Sequence, residues 1–143
     1  MREYRRLLAA VDLTEDGVQV IERARDLAKR YDSELTLIHV VEPMPIDAAG
    51  EAIMPPVTGI ETELYDNAQR RLKAFTERLQ RGESRRHLVI GYTKREILNF
   101  AAESQIDLIV VGSHGRHGLA LLLGSTANAV LHGANCDVLA VRV

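Results

Sequence analysis

The segment Gly112-Ser113-His114-Gly115-Arg116-His117-Gly118-Leu119-Ala120-Leu121-Leu122-Leu123-Gly124-Ser125-Thr126 holds four glycines and ends in two hydroxyl residues. Glycine permits positive φ and lets a ligand come close to the backbone. Amides left open at a helix start, reinforced by the helix dipole, favour phosphate. The hydroxyls of Ser125 and Thr126 add hydrogen-bond capacity, and His114, Arg116 and His117 give the loop local positive charge. The chemistry on offer is the holding of a phosphate. The segment is not a Walker loop, since no Gly-Lys-Ser/Thr occurs, nor the dinucleotide fingerprint, whose glycines are spaced more tightly. A second reading makes the same residues a turn and a helix cap, with Leu119–Leu123 packed as core and His117 at a solvated tip.

The other reactive side chains are scattered. Asp12 ends an apolar run, where it either faces a cleft or serves as a turn residue before Thr14. His39 lies inside an apolar run and His132 beside a helix stop, and both read as structural. Cys136 is the single cysteine and has no evident activating base, so it reads as a small packed residue rather than a nucleophile. The histidines lack a matching cluster of Asp, Glu or Cys, which argues against a transition-metal site. The basic face Arg70–Arg78 is interleaved with Glu77 and has no aromatic platform, so it reads as solvated and no nucleic-acid partner is expected.

These residues need elements to position them. A chain of 143 residues suits one domain, expected to run over 1–143. Its 46% apolar and 27% charged content reads as soluble and globular, and a net charge of −2 implies no polyanion-binding surface. A lone cysteine suits a reducing compartment, and the apolar run after the N-terminus stops at Asp12, too short for a signal core or a membrane span. A cytoplasmic protein without membrane association is expected.

Five nearly continuous apolar runs, Leu7–Val11, Leu35–Val41, His87–Ile90, Asp107–Val111 and Val138–Val143, suit parallel strands buried on both faces. Helical spacing alternates with them. Thr14 offers a cap, with Glu15 and Asp16 in the first turn and Val20, Ala24, Leu27 and Ala28 on one face, ending near Tyr31. Glu42–Thr58 holds all four prolines and reads as a loop. A second helix starts at about Gly59 and runs through Leu79. Thr93-Lys94-Arg95-Glu96 reads as a capping box opening a third, and Ser125 or Thr126 caps a short fourth that Gly133 stops. Strand–helix alternation implies right-handed crossovers and an α/β, doubly wound parallel sheet. Ligands in such sheets bind beyond the carboxyl ends of the strands, here Asp12, Val40–Glu42, Gly91–Thr93 and Gly112–Gly115.

Taken together, Leu8–Asp12, Leu37–Val40, Asp107–Gly115, Leu121–Ser125 and Val138–Val141 resemble the universal stress proteins over essentially the whole chain. The resemblance implies a five-stranded sheet of order 3-2-1-4-5, Rossmann-like and of the adenine nucleotide alpha hydrolase-like type. It also implies binding of ATP or a related adenine nucleotide through a motif of Gly, two residues, Gly, nine residues, Gly and Ser or Thr. On that resemblance Asp12 and Val40 contact the adenine or ribose edge, with Ala10 and Val11 beside them in the pocket wall. Gly112 and Gly115 match the first two glycines, Gly124 and Ser125 the closing pair, with His114, Arg116 and Thr126 alongside. Mg²⁺ would arrive with the nucleotide, whose phosphates supply most ligands.

This chain has eight residues, Arg116–Leu123, where the motif has nine. In a helix that deficit turns the far end by about 100°. A stress-response interaction protein that binds no nucleotide is therefore the alternative expectation. A slow ATPase is the second, although no catalytic residue is assigned, since Asp12, Arg116 and the histidines form no recognisable phosphoryl-transfer arrangement. The apolar last strand, expected at a sheet edge, is a pairing hazard that self-association removes. The resemblance likewise implies a homodimer through Val138–Val143, with further protein partners unspecified.

Overall fold

The computed structural model describes residues 3–42, 60–78, 84–113 and 123–143. The elements run β1 (Arg6–Ala10), α1 (Glu15–Tyr31), β2 (Glu34–Val41), α2 (Ile60–Arg78), β3 (Arg85–Ile90), α3 (Thr93–Glu103), β4 (Leu108–Gly112), α4 (Ser125–Gly133) and β5 (Asp137–Val141). All strand pairs are parallel and their order is β3-β2-β1-β4-β5, the order expected above. Most of the proline-rich stretch and residues 114–122 of the glycine segment lie outside the described residues.

Side-chain alternation divides the core into two layers. Leu7, Ala9, Val11, Leu35, Leu37, Leu108 and Val110 meet Val20, Ile21 and Ala24 of α1, with Phe75 of α2 packed alongside. Leu8, Ile38, Ile109 and Val111 meet Ile97 and Ala101 of α3 and Ala127 and Val130 of α4. Central strands buried on both faces must be apolar at every position, which is why β1 and β4 read as continuous runs. The edge strands obey this less strictly. β3 begins at Arg85, two residues before its apolar run, because its backbone pairing with Thr36 and Leu37 needs no apolar side chain. Arg85 instead reaches Glu34 at 3.6 Å, and Arg86 donates to the Thr76 hydroxyl at 3.1 Å.

Local caps depart from expectation. Thr14 occupies the N-cap of α1 without capping it; its hydroxyl donates to Asp12 Oδ1 at 2.7 Å. The capping box at Thr93 does not form. Tyr92 is the N-cap, and Thr93 is already helical, donating from its hydroxyl to Glu42 Oε1 at 2.8 Å. A carboxylate from the end of β2 thus supplies the acid that the positive end of α3 favours. Gly124, rather than Ser125 or Thr126, is the N-cap of α4. Gly133 is the last residue of α4, as expected, but it ends the helix without a left-handed turn. A Cβ there would meet Leu98 Cδ1 at 2.7 Å, so the glycine marks the close crossing of α4 over α3.

Candidate functional site

Helices α1 and α2 cover one face and α3 and α4 the other, so the chain leaves β1 and β4 in opposite directions. The crevice of a doubly wound sheet opens at that reversal. Among the described residues it is bordered by the turn after β1 and by the carboxyl ends of β2 and β4.

After β1 the backbone turns sharply, with Leu13 at φ 62°. Asp12 holds this turn: its Oδ1 accepts from the Thr14 amide at 3.0 Å and the Thr14 hydroxyl at 2.7 Å. The side chain is exposed, and among the described residues its Oδ2 accepts no hydrogen bond. The turn reading of Asp12 thus engages one oxygen and leaves the second uncommitted among the described residues. Buried Gly17, in the first turn of α1, makes the arrangement possible, since a Cβ there would lie 2.9 Å from Asp12 Oδ1 and 3.4 Å from Val11 Cγ1. In the sequence Gly17 carries no chemistry that would single it out. Its signal was a glycine inside a helical pattern, where it costs about 1 kcal/mol relative to alanine.

The end of β2 shows why Val40 differs from its neighbours. Val11 N–H donates to Ile38 O at 2.9 Å, and Val41 O accepts from Gly91 N–H at 3.0 Å. Peptide groups alternate along a strand, so Ile38 and Val40 face β1 whereas His39 and Val41 face β3. The next rung would join Val40 to the Val11 carbonyl and the Leu13 amide. Neither bond forms among the described residues. The Val11 carbonyl is taken instead by His39 Nδ1 at 2.6 Å. Val40 is left presenting a main-chain donor and acceptor side by side. Ala10, half-buried at the end of β1, packs with Val40 against the second core layer.

Burial pushes the His39 pKa down; its bond to Val11 and the charge of Asp12 oppose that shift, while Arg71 of α2 reinforces it. The folded protein therefore favours neutral His39, whereas the unfolded chain titrates near the ordinary value of 6.5. This contribution to stability is present above pH 6.5 and is lost as the pH falls through the lower folded value. Thermal melts of the wild type and His39→Gln from pH 7.5 to 5 should show a steeper acid-side decline for the wild type. Parallel curves would contradict the assignment.

After β4, Ser113 is a junction. Its amide donates to Val141 O at 2.8 Å, its carbonyl accepts from Gly124 N–H at 2.7 Å, and its hydroxyl accepts from Val143 N–H at 3.4 Å. The first intrahelical bond of α4 runs from Asn128 N–H to Gly124 O. The Gly124 amide is thus engaged, while those of Ser125, Thr126 and Ala127 have no backbone partner among the described residues. The first turn of α4 carries no acidic residue, unlike those of α1 and α3. Among the described residues no side chain or backbone carbonyl takes these amides, a donor arrangement that suits an anion. At Gly112 a Cβ would meet Val20 and Val143 only at ordinary contact distance, 3.5 Å or more, so packing does not demand this glycine. His114, Gly115 and Arg116, and the short spacing itself, lie outside the described residues.

Among the described residues no group of three or more His, Cys, Asp or Glu could hold a metal ion. A cavity of about 590 Å³ opens at the opposite, amino ends of the strands, against Arg6, Thr36, His87 and Phe100. Its lining includes neither Val40 nor the first turn of α4, so the carboxyl-end crevice is the better candidate site despite that cavity's size.

The model of the Universal stress protein family matches residues 3–142. Universal stress protein A homolog 1 of Coxiella burnetii is 40% identical over 138 residues, which cover 96% of either chain. Among solved structures, universal stress protein UspA from Lactobacillus plantarum aligns with a TM-score of 0.75 at 22% identity, over 100% of this chain and 99% of that one. A universal stress protein in complex with cAMP aligns with a TM-score of 0.64 at 23% identity, over 98% of each. At these identities the structural likeness speaks for the fold.

Proposed function

Since the chain belongs to the universal stress protein family, we propose that it is a stress-response binding protein that holds ATP or a related adenine nucleotide in the crevice beyond β1, β2 and β4. The observation that carries this reading is the main-chain donor–acceptor pair of Val40, left without a ladder partner where β1 turns away. Adenine offers the complement, an acceptor at N1 and a donor at the 6-amino group. Asp12 Oδ2 then suits a ribose hydroxyl, and the amides of Ser125, Thr126 and Ala127, with the first two hydroxyls, suit phosphates. Mg²⁺ would be held chiefly by those phosphates. The related protein solved with cAMP carries an adenine nucleotide, which agrees with the base preference. Calorimetric titration with ATP and Mg²⁺ tests the reading: saturable heat that falls in Asp12→Ala supports it, and no heat at millimolar nucleotide removes it.

The proposal includes action in the cytoplasm through partner proteins. Among the described residues no helix is long and apolar enough to cross a membrane. It also includes a homodimer. β5 is an edge strand whose Asp137, Leu139 and Val141 peptides face β4, so those of Val138, Ala140 and Arg142 face outward. Pairing two such edges across a two-fold axis would satisfy them. Ala140 is exposed, and proline there removes one outward donor while sparing the inner ladder. In sedimentation the wild type should run as a dimer and Ala140→Pro as a monomer with unchanged far-UV circular dichroism. A monomeric wild type would dismiss this edge as the interface.

A further inference from the structure

We infer that His39 is a positioning residue: by holding the Val11 carbonyl it keeps the ends of β1 and β2 apart and leaves the Val40 amide available to a ligand. The ligand half of this inference rests on the nucleotide reading above; the structural half does not.

The Val11 carbonyl is the group a continued parallel ladder would offer to Val40 N–H. The register is set by Ala10 pairing with Ile38 and by the bond from Val11 N–H to Ile38 O. The rung stops there. Within a strand, His39 turns its peptide toward β3, paired with Leu88, yet its ring reaches back across β2 to Val11. At 2.6 Å the contact is at the short end of hydrogen-bond geometry, and it replaces a backbone donor by a side-chain donor. One bond is thereby exchanged for another at little net cost, but the Val40 amide is released. Two peptide groups that would have closed the sheet now line the crevice.

The charged groups around the ring are consistent with a clamp rather than a titrating switch. Asp12 of the turn after β1 attracts a proton, while burial and Arg71 of α2 repel it. Either way Nδ1 carries hydrogen, since an imidazolium and the Nδ1–H tautomer both donate from that atom. Leucine cannot donate, so in His39→Leu the Val11 carbonyl reverts to Val40 N–H. Asparagine has an amide nitrogen at similar reach and should preserve the clamp.

The test is amide hydrogen exchange at Val40 without ligand, followed by ATP–Mg²⁺ titration. Val40 should exchange at least about tenfold more slowly in His39→Leu than in the wild type, with His39→Asn close to the wild type. ATP affinity should fall about tenfold in His39→Leu, the loss of one neutral hydrogen bond. Equal Val40 exchange in the wild type and His39→Leu overturns the inference. If the wild type shows the exchange contrast but binds no ATP, the positioning role stands and the nucleotide reading fails. Should His39→Leu not fold, the ¹⁵N signals of the wild-type ring decide: hydrogen on Nδ1 supports the clamp, and hydrogen on Nε2 alone overturns it.

Discussion

Titrated into the protein with Mg²⁺, ATP should bind about 100-fold more tightly than GTP. Phosphates and ribose are common to both ligands, so whatever Asp12 and the first turn of α4 contribute cancels in the comparison. The bases differ at the edge that Val40 would read. Adenine presents an acceptor at N1 beside a donor at its amino group; guanine presents a donor at N1 beside an acceptor at O6. Against one N–H and one C=O on the same side of a strand, both pairings reverse. Each mismatch buries a polar group without its partner, at about 1–3 kcal/mol. The lower half of that range, taken twice, reaches the roughly 2.7 kcal/mol that separates affinities 100-fold. Sites built around hydrogen bonds discriminate more sharply than sites built around shape. Equal affinity for the two nucleotides would show that Val40 does not read the base, and the proposed site would have to be abandoned. ITP, which shares the reversed edge, should behave as GTP does.

The second large effect concerns the fold. Ile109→Ala should lower stability by about 3 kcal/mol. Ile109 is fully buried as the second residue of β4, in the layer that joins Leu8 and Ile38 to Ile97 of α3 and Val130 of α4. Four elements converge on it, so little can collapse into the space left behind. For a chain of this size the loss corresponds to about 10 °C in Tm. Paired urea and thermal unfolding curves would measure it. A loss below about 1 kcal/mol would mean that this layer is not packed as described.

Architecture was largely legible in the chain. Leu7–Val11 and Asp107–Val111 are apolar at successive positions because β1 and β4 are covered on both faces, a constraint that leaves its mark residue by residue. Caps were not legible, because their partners lie elsewhere. Thr93 followed by Glu96 is a sound local pattern, yet the acceptor that wins is Glu42, 51 residues away. Gly133 does end α4, but what requires the glycine is its close approach to Leu98, which the sequence does not show. Much the same holds for the site. Asp12 and Val40 could be placed at strand ends because strand ends can be counted along the sequence. Gly17, Ser113 and the role of His39 could not be read this way, because each is defined by a register between strands or by a neighbour's carboxylate. No periodicity encodes that a histidine ring will take a carbonyl from the adjacent strand.

The bond from Gly124 N–H to Ser113 O bears on the one departure of this chain from its family's motif. It fastens the two ends of the glycine segment to each other, just past the end of β4 and at the threshold of α4. A segment anchored at both ends can gain or lose a residue without displacing the helix behind it, much as a bridge deck can be re-spanned between fixed abutments. The closure entropy separating eight residues from nine is only about 0.1 kcal/mol. Length variation among relatives should therefore collect between these anchors, as insertions and deletions that natural selection tolerates. The missing residue then falls within the span between these two anchors.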